Sequence, residues 1–331
     1  MTCEPSNGRP TVKRVGEFEL IHRLFRQRAI QRADVITGIG DDAAVLQIEP
    51  DEQLLCAVDT LVEGVHFPHA MPARQVGHRA LAVNLSDIAA MGGRARWVLL
   101  ALTLPTADDA WLEEFAEGFH ALAATHGVAL VGGDMTAGPL TISVTVMGSV
   151  AQGHALQRSG AQAGDVIFVS GNPGAARLGL DAMLEGDDSP STETLRQRFN
   201  YPQPRLALGT AMAPYAHAMI DVSDGLLADL GHILEESRFG ARLNAEALPI
   251  LPDAVAFAGR DRALIAAATG GDDYELLFTV PVSAAALAED AALRIDCPIT
   301  RIGIITAGTE LVVEGEGAAL LRGLPRGYQH F

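Results

Sequence analysis

Aspartates at the edges of apolar runs dominate the chemistry this chain could do, and Lys13 is its only lysine. Asp41-Asp42, Asp59, Asp87, Asp134, Asp221 and Asp224 each border hydrophobic residues, where an unpaired carboxylate is expensive to bury. A hard cation is the natural partner. Mg2+ takes one or two carboxylates at a time and shares the rest of its shell with phosphate and water. The pattern therefore points to phosphate chemistry run through metal ions.

Taken singly, each phrase has a plainer alternative. Gly38-Ile39-Gly40-Asp41-Asp42-Ala43-Ala44 delivers paired acids at a turn, where solvated acids are also common. Asp59 closes an apolar strand over 54–61, and strand ends in α/β domains often present ligand-binding groups. Asn84 and Asp87 lie three apart and share one side of an otherwise apolar helix; a local hydrogen bond would also place them there. Residues 128–131 read as a short strand followed by Gly132-Gly133-Asp134, whose glycines let backbone come close to a ligand. Asp221-Val222-Ser223-Asp224-Gly225 ends a strand and opens a helix at Leu226, where unpaired N–H groups favour phosphate, though such residues also serve as plain caps. Gly270-Gly271-Asp272-Asp273-Tyr274-Glu275 again sets acids before an apolar strand. His66 and His69 lack a nearby Cys or third His and read as ordinary histidines, not as transition-metal ligands.

Several function classes are excluded. No Gly-x-x-x-x-Gly-Lys-Ser/Thr loop is present, and one lysine in a polar N-terminal stretch cannot grip phosphate as P-loop or protein-kinase lysines do. Gly38-Ile39-Gly40 runs into acids and not into a helix, so a dinucleotide fingerprint fails its context. A formal net charge of −17 argues against a nucleic-acid partner or an anionic membrane surface. Cys3, Cys56 and Cys297 form neither a disulfide framework nor a zinc site, which fits a reducing cytoplasm. No stretch approaches the ~18 apolar residues of a membrane span.

These residues need a scaffold of alternating elements. Residues 1–15 read as a disordered tail. Apolar spacing at Phe18, Ile21, Leu24 and Phe25 predicts a helix over 16–31. Strands follow over 43–48 and 54–61, then a helix over 73–91, a strand over 97–104, a helix over 108–126, and strands over 128–131 and 140–150. A Gly/Gln/Ala-rich joint over 148–164 separates two domains, 16–150 and 151–331. The second restarts with a strand over 166–170 and offers further strands over 218–222 and 275–280. The fold class is α/β (α+β) in two domains.

At these motifs the chain resembles the thiamine-monophosphate kinases, of the superfamily that includes aminoimidazole ribonucleotide synthetase and selenophosphate synthetase. The phrases that carry the likeness are 38–44, Asp-Thr-Leu-Val-Glu-Gly-Val-His-Phe over 59–67, Ala-Val-Asn-Leu-Ser-Asp-Ile-Ala-Ala-Met-Gly over 82–92, Gly-Gly-Asp over 132–134, Arg-Ser-Gly over 158–160 and 221–226. The likeness runs from residue 16 to the C-terminal Phe331. It implies the two-domain aminoimidazole ribonucleotide synthetase-like fold, transfer of the ATP γ-phosphoryl group to thiamine monophosphate, and a homodimer joined through the N-terminal sheets. Carried over by motif, Asp42, Asp59, Asp87, Asp134, Asp221 and Asp224, with the Val58 carbonyl, would hold several Mg2+ ions. Of these, Asp42, Asp87 and Asp134 would act in catalysis through metal. Gly133, Asp134, Arg158 and Ser223 would touch ATP, and His66, Asp272 and Tyr328 the acceptor. Three departures stand out: Ala57-Val58 where the family often has Ser or Thr before the aspartate, Met135-Thr136-Ala137 in place of Thr-Thr-Arg, and Asp272 for the usual glutamate.

The chemistry agrees with the residues. A phosphate monoester has a second pKa near 6, so roughly nine tenths of such an acceptor is already dianionic at pH 7 and needs no general base. Bringing two anions together is the barrier: at ~4 Å each unit-charge pair costs about 4 kcal/mol at an effective dielectric of ~20. Two rivals remain: another ATP-dependent enzyme of the superfamily, or a non-catalytic nucleotide- or metal-binding protein on the same scaffold. Selenophosphate synthesis would want a reactive Cys beside the first glycine-rich motif, and none lies between Cys3 and Cys56.

Overall fold

Long apolar strands and two alanine-rich helices account for the first half of the chain. The computed structural model describes residues 17–328, so the expected tail at 1–15 lies outside the described residues. α1 (Glu17–Leu20) runs into one π-helical turn, Ile21–Arg26. β1 (Val35–Thr37) and β2 (Val45–Leu46) form a small antiparallel pair. The main sheet contains β3 (Glu52–Val62), β4 (Arg94–Leu104), β5 (Ala129–Ala137) and β6 (Thr141–Ala151) in the order β3-β6-β4-β5. Only the β4/β5 pair is parallel.

Two helices, α2 (Ala73–Ala90) and α3 (Asp109–His126), cover one face of this sheet. They cross almost backbone to backbone. A Cβ on Gly77 would lie 2.1 Å from the Phe115 carbonyl oxygen, and one on Gly118 1.9 Å from that of Arg74. Side chains at those two positions would force the helices apart. Leu81, Leu85, Phe115, Phe119, Val144 and Val146 fill the space beneath.

The second half holds β7 (Val166–Ser170), β8 (Ala218–Val222), β9 (Gly240–Asn244), β10 (Glu275–Val280), β11 (Ile299–Thr306) and β12 (Leu311–Glu314), ordered β12-β9-β11-β7-β10-β8. Its helices are α4 (Ala175–Glu185), α5 (Pro190–Asn200), α6 (Leu206–Met212), α7 (Leu226–Ser237), α8 (Pro252–Thr269) and α9 (Ala285–Arg294). Strand and helix alternate in sequence, yet every pairing except β12/β9 is antiparallel. Helices pack on both faces: Ile167 and Val169 meet the α7–α8 side, while Val166 and Phe168 meet the α6–α9 side. That is why β7, β8 and β10 read as unbroken apolar runs without alternation.

Three expected elements come out differently. The helix expected over 16–31 ends at Arg26, because the apolar stripe stops at Phe25 and arginines on either side of that residue bond to α3: Arg23 pairs with Asp109 and Glu113, and Arg28 with Glu113. The strand expected over 43–48 shrinks to Val45–Leu46. It pairs with β1, which the sequence reading lacks and which the Asp34 carboxylate anchors by accepting from Arg32, Arg96 and the Trp97 indole. Finally, β5 does not stop at Val131 but runs on through Gly132, Gly133 and Asp134. Gly133 sits at φ 154°, and a Cβ there would lie 1.9 Å from the Leu100 carbonyl oxygen. These glycines keep a strand pressed against its neighbour instead of ending it.

Candidate active site

Helix α2 passes between the two sheets, and four of the aspartates gather along it. Asp87 stands on α2, Asp59 near the end of β3, Asp221 near the end of β8, and Asp224 in the turn before α7. Buried polar groups of α2 fix the strands that carry the others. Asn84 Oδ1 accepts the Asp59 N–H at 2.9 Å, while its Nδ2 donates to the Ala80 carbonyl at 2.9 Å. Ser86 Oγ donates to Asp221 Oδ2 at 2.7 Å, with both side chains buried. The expected pairing of Asn84 with Asp87 is therefore a division of labour: Asn84 fixes backbone and Asp87 presents charge.

The four carboxylates feel one another. Burial raises the pKa of Asp59, with the Asp224 charge adding to the rise and His66 opposing it. Asp87 is pushed well above the usual carboxylate range, first by burial and then by Asp221 and Asp59. Burial also raises Asp221; the Ser86 hydroxyl works against this and Asp59 adds to it. Arg158 is the cation whose field reaches both Asp87 and Asp221. Partly desolvated carboxylates that resist sharing a space are a donor set for a hard cation with oxygen ligands. The residues thus fit Mg2+.

Asp42 and Asp134 stand apart. Both are exposed. Asp42 lies in the turn expected to carry it, but β2 starts only at Val45, and the Asp42 N–H donates to Asp41 Oδ1 at 2.9 Å. Asp134 lies within β5 opposite Ala101, beside exposed Gly133. Among the described residues, neither acid forms a hydrogen bond or ion pair with the other four. Val58 turns an exposed side chain outward from β3, so only its backbone could serve the site.

The turn 221–225 departs from expectation in one respect. Its N–H groups are not left open for phosphate, because Asp229 in the first turn of α7 reaches back. One oxygen, Oδ2, accepts from Ser223 at 3.1 Å, Asp224 at 3.2 Å and Gly225 at 3.0 Å. Burial, opposed by those N–H groups, lifts the Asp229 pKa to about 7. Asp224, Asp229 and the exposed His232 also bring one ligand atom each within 4.8 Å of one another.

The proposed acceptor contacts are spread around this centre. His66 accepts the Val62 N–H through Nδ1 at 3.0 Å and lies near Asp59. The Tyr328 N–H donates to the Asp224 carbonyl at 2.9 Å, which draws the C-terminal segment across the turn before α7. Beside it, between α7 and β12, opens a groove of about 1690 Å3 lined in part by Asp224, His232, Arg326 and Tyr328. Asp272 is already engaged. It adopts φ 71°, donates its N–H to the Ser223 carbonyl at 2.9 Å, and pairs through Oδ1 with Arg79 and the Tyr274 hydroxyl. Arg79 is fully buried, with its guanidinium 4.3 Å from the Phe199 ring centroid.

Sequence reasoning missed Ser86, Arg79 and Asp229. All three carry a signal. Each is a polar residue set among apolar neighbours, Ser86 one position before Asp87, Arg79 two turns earlier, and Asp229 five positions after Asp224.

Two family models match the chain: AIR synthase related protein, N-terminal domain, over residues 40–150, and its C-terminal domain over 162–316. Among curated proteins, the thiamine-monophosphate kinase of Salmonella typhimurium is 43% identical over 326 residues, covering 96% of this chain and 98% of the relative. Among solved structures, the thiamine-monophosphate kinase of Stenotrophomonas maltophilia superposes with a TM-score of 0.86 at 47% identity, covering 92% of this chain and 98% of that one. AaThiL complexed with AMPPCP and TMP matches with a TM-score of 0.76 at 31% identity, over 96% and 97% of the two chains.

Proposed function

The chain belongs to the thiamine-monophosphate kinase family of the AIR synthase-related proteins, and on that premise we propose that it transfers the γ-phosphoryl group of ATP to thiamine monophosphate, giving thiamine diphosphate and ADP. The observation that carries the reading is the convergence of Asp59, Asp87, Asp221 and Asp224 from both halves of the chain, faced by Arg158. Supporting it, the relative AaThiL was solved with AMPPCP and TMP.

In this reading Asp59, Asp87, Asp221 and Asp224 form the inner part of a site for several Mg2+ ions. Asp42, Asp134 and the Val58 carbonyl complete it once nucleotide is present. Bound Mg2+ supplies positive charge between the two phosphates and offsets their repulsion. Asp42, Asp87 and Asp134 are the catalytic set, acting through metal. Gly133 and Ser223 meet ATP with backbone and hydroxyl groups, and Arg158 offers a planar, permanently charged donor to phosphate. His66, Asp272 and Tyr328 take the acceptor, with Asp272 held in place by Arg79. No side chain is required to remove a proton, since the acceptor phosphate is mostly dianionic at neutral pH.

The chain is read as working in the reducing cytoplasm, in two functional halves, 16–150 and 151–331. Among the described residues, no helix is long and apolar enough to cross a membrane. A homodimer through the N-terminal sheets is supported by the uncovered side of β3, where Leu54 and Val58 are 55% and 60% exposed; apolar residues in such a row favour a partner surface. Release of ADP from ATP, measured with and without thiamine monophosphate, tests the activity. Strict dependence on the acceptor, with thiamine diphosphate formed in equal amount, is expected. ADP release without the acceptor would favour another ATP-dependent activity, and no release at all a binding protein.

A further inference from the structure

We propose that Asp229 is a positioning residue of the metal centre: it holds the turn 223–225 in the shape that turns Asp221 and Asp224 toward Asp59 and Asp87. The proposal rests on the Mg2+ reading above. Three consecutive backbone N–H groups, those of Ser223, Asp224 and Gly225, converge on Asp229 Oδ2 at 3.0–3.2 Å. Successive N–H groups folded into one concavity make an anion-binding nest. Here the chain's own carboxylate fills the nest, so phosphate is excluded from it and the curl of the turn is preset.

That curl has consequences on its outer side. Gly225 takes φ 134°, and a Cβ there would approach the Thr269 carbonyl oxygen to 2.7 Å, so the turn cannot relax by moving toward α8. The Ser223 carbonyl accepts from the Asp272 N–H, and the Asp224 carbonyl from the Tyr328 N–H. With N–H groups gathered inward and carbonyls tied to two neighbouring segments, the turn that carries Asp224 is held from both sides. Asp229 itself is buried and lies on the opposite side of the turn from the Asp272 segment, held by the helix that follows. An ordinary helix cap would need one or two of these bonds; three bonds to one oxygen, between two metal-facing aspartates, fix a geometry.

Two variants separate geometry from charge. Asp229→Asn keeps a carbonyl oxygen where Oδ2 stands but removes the charge. Asp229→Glu keeps the charge but pushes it one methylene further in a buried space. Mn2+ binding to nucleotide-free protein is read by calorimetry, alongside melting temperature and kcat/KM. A positioning role gives an Asn variant within about 3-fold of the parent in Mn2+ affinity, and a Glu variant weakened about 10-fold or more, about 1.4 kcal/mol. The reverse order would make Asp229 a charge and overturn the proposal. So would two variants that melt lower yet bind Mn2+ as the parent does, since Asp229 would then be only a cap. If the parent itself binds no Mn2+, the metal reading beneath the proposal fails, a result distinct from either of these.

Discussion

Two sets of acids on one chain have been treated in opposite ways. Asp59, Asp87, Asp221 and Asp224 sit on elements locked by Asn84, Ser86 and Asp229, and burial and neighbouring acids raise the pKa values of Asp59, Asp87 and Asp221. Asp42 and Asp134 are exposed, on a turn and on a strand, with none of those bonds. The difference teaches what preorganisation requires here. Carboxylates that repel must be held by something other than a cation before the cation arrives, and the fold does this with neutral hydrogen-bonding side chains and one helix-borne acid. The outer pair is exposed and needs no such restraint, since water solvates it.

Substitution should break this comparison in a graded way. Asp87→Asn and Asp221→Asn are expected to lose at least ~100-fold in kcat/KM, about 2.7 kcal/mol, and to lose most Mn2+ binding by nucleotide-free protein. Asp42→Asn and Asp134→Asn are expected to lose about 30-fold in kcat/KM yet to bind Mn2+ alone as the parent does. Equal Mn2+ losses in both pairs would erase the distinction between inner and outer acids. Asp51→Asn, in the turn before β3, serves as the control and should change neither reading.

Asp272 sharpens the comparison from a third side, because Arg79 already balances its charge. Asp272→Ala should raise KM for thiamine monophosphate about 10-fold, roughly 1.4 kcal/mol, with KM for ATP and Mn2+ affinity little changed. A rise in KM for ATP instead would move this carboxylate to the nucleotide side.

A smaller effect concerns pH. Asp87 and Asp221 have folded pKa values above the unfolded carboxylate value of about 4. In chelator, the folded protein therefore holds protons that the unfolded chain has released, so this contribution is full below about pH 4 and is lost as pH rises through the raised values. In the proposed metal site Mg2+ would replace those protons. The rise in melting temperature on adding Mg2+ should be larger at pH 8 than at pH 6, and the Asp87→Asn variant should narrow that gap. A Mg2+ effect independent of pH would mean that the inner acids carry no such strain.

Much of this was legible in the sequence. The helix over 73–91 and the strands over 166–170, 218–222 and 275–280 follow from apolar patterning, and the structure has them within a residue or a few. The antiparallel pairing of the second sheet was not legible, because a strand buried on both faces reads alike in either direction. The extension of β5 through Gly132 and Gly133 was hidden too, since glycine marks both a strand end and a close backbone approach. At the site, motif and apolar context picked out six aspartates alike, Asp42 and Asp134 among them, without separating the four that gather along α2. Arg79 escaped because its partner Asp272 lies 193 positions away, and Asp229 because its partners, though close in sequence, are backbone N–H groups that carry no residue signature.

In the proposed mechanism several metal ions, held by acids from both halves, act together on the two phosphates. That mechanism is tested most directly by the rate of thiamine diphosphate formation at fixed, fully complexed MgATP and fixed thiamine monophosphate, as free Mg2+ is raised at constant ionic strength. The rate is expected to keep rising after all ATP is complexed, and to saturate only when the inner site fills. A rate already flat once ATP is complexed would contradict the mechanism.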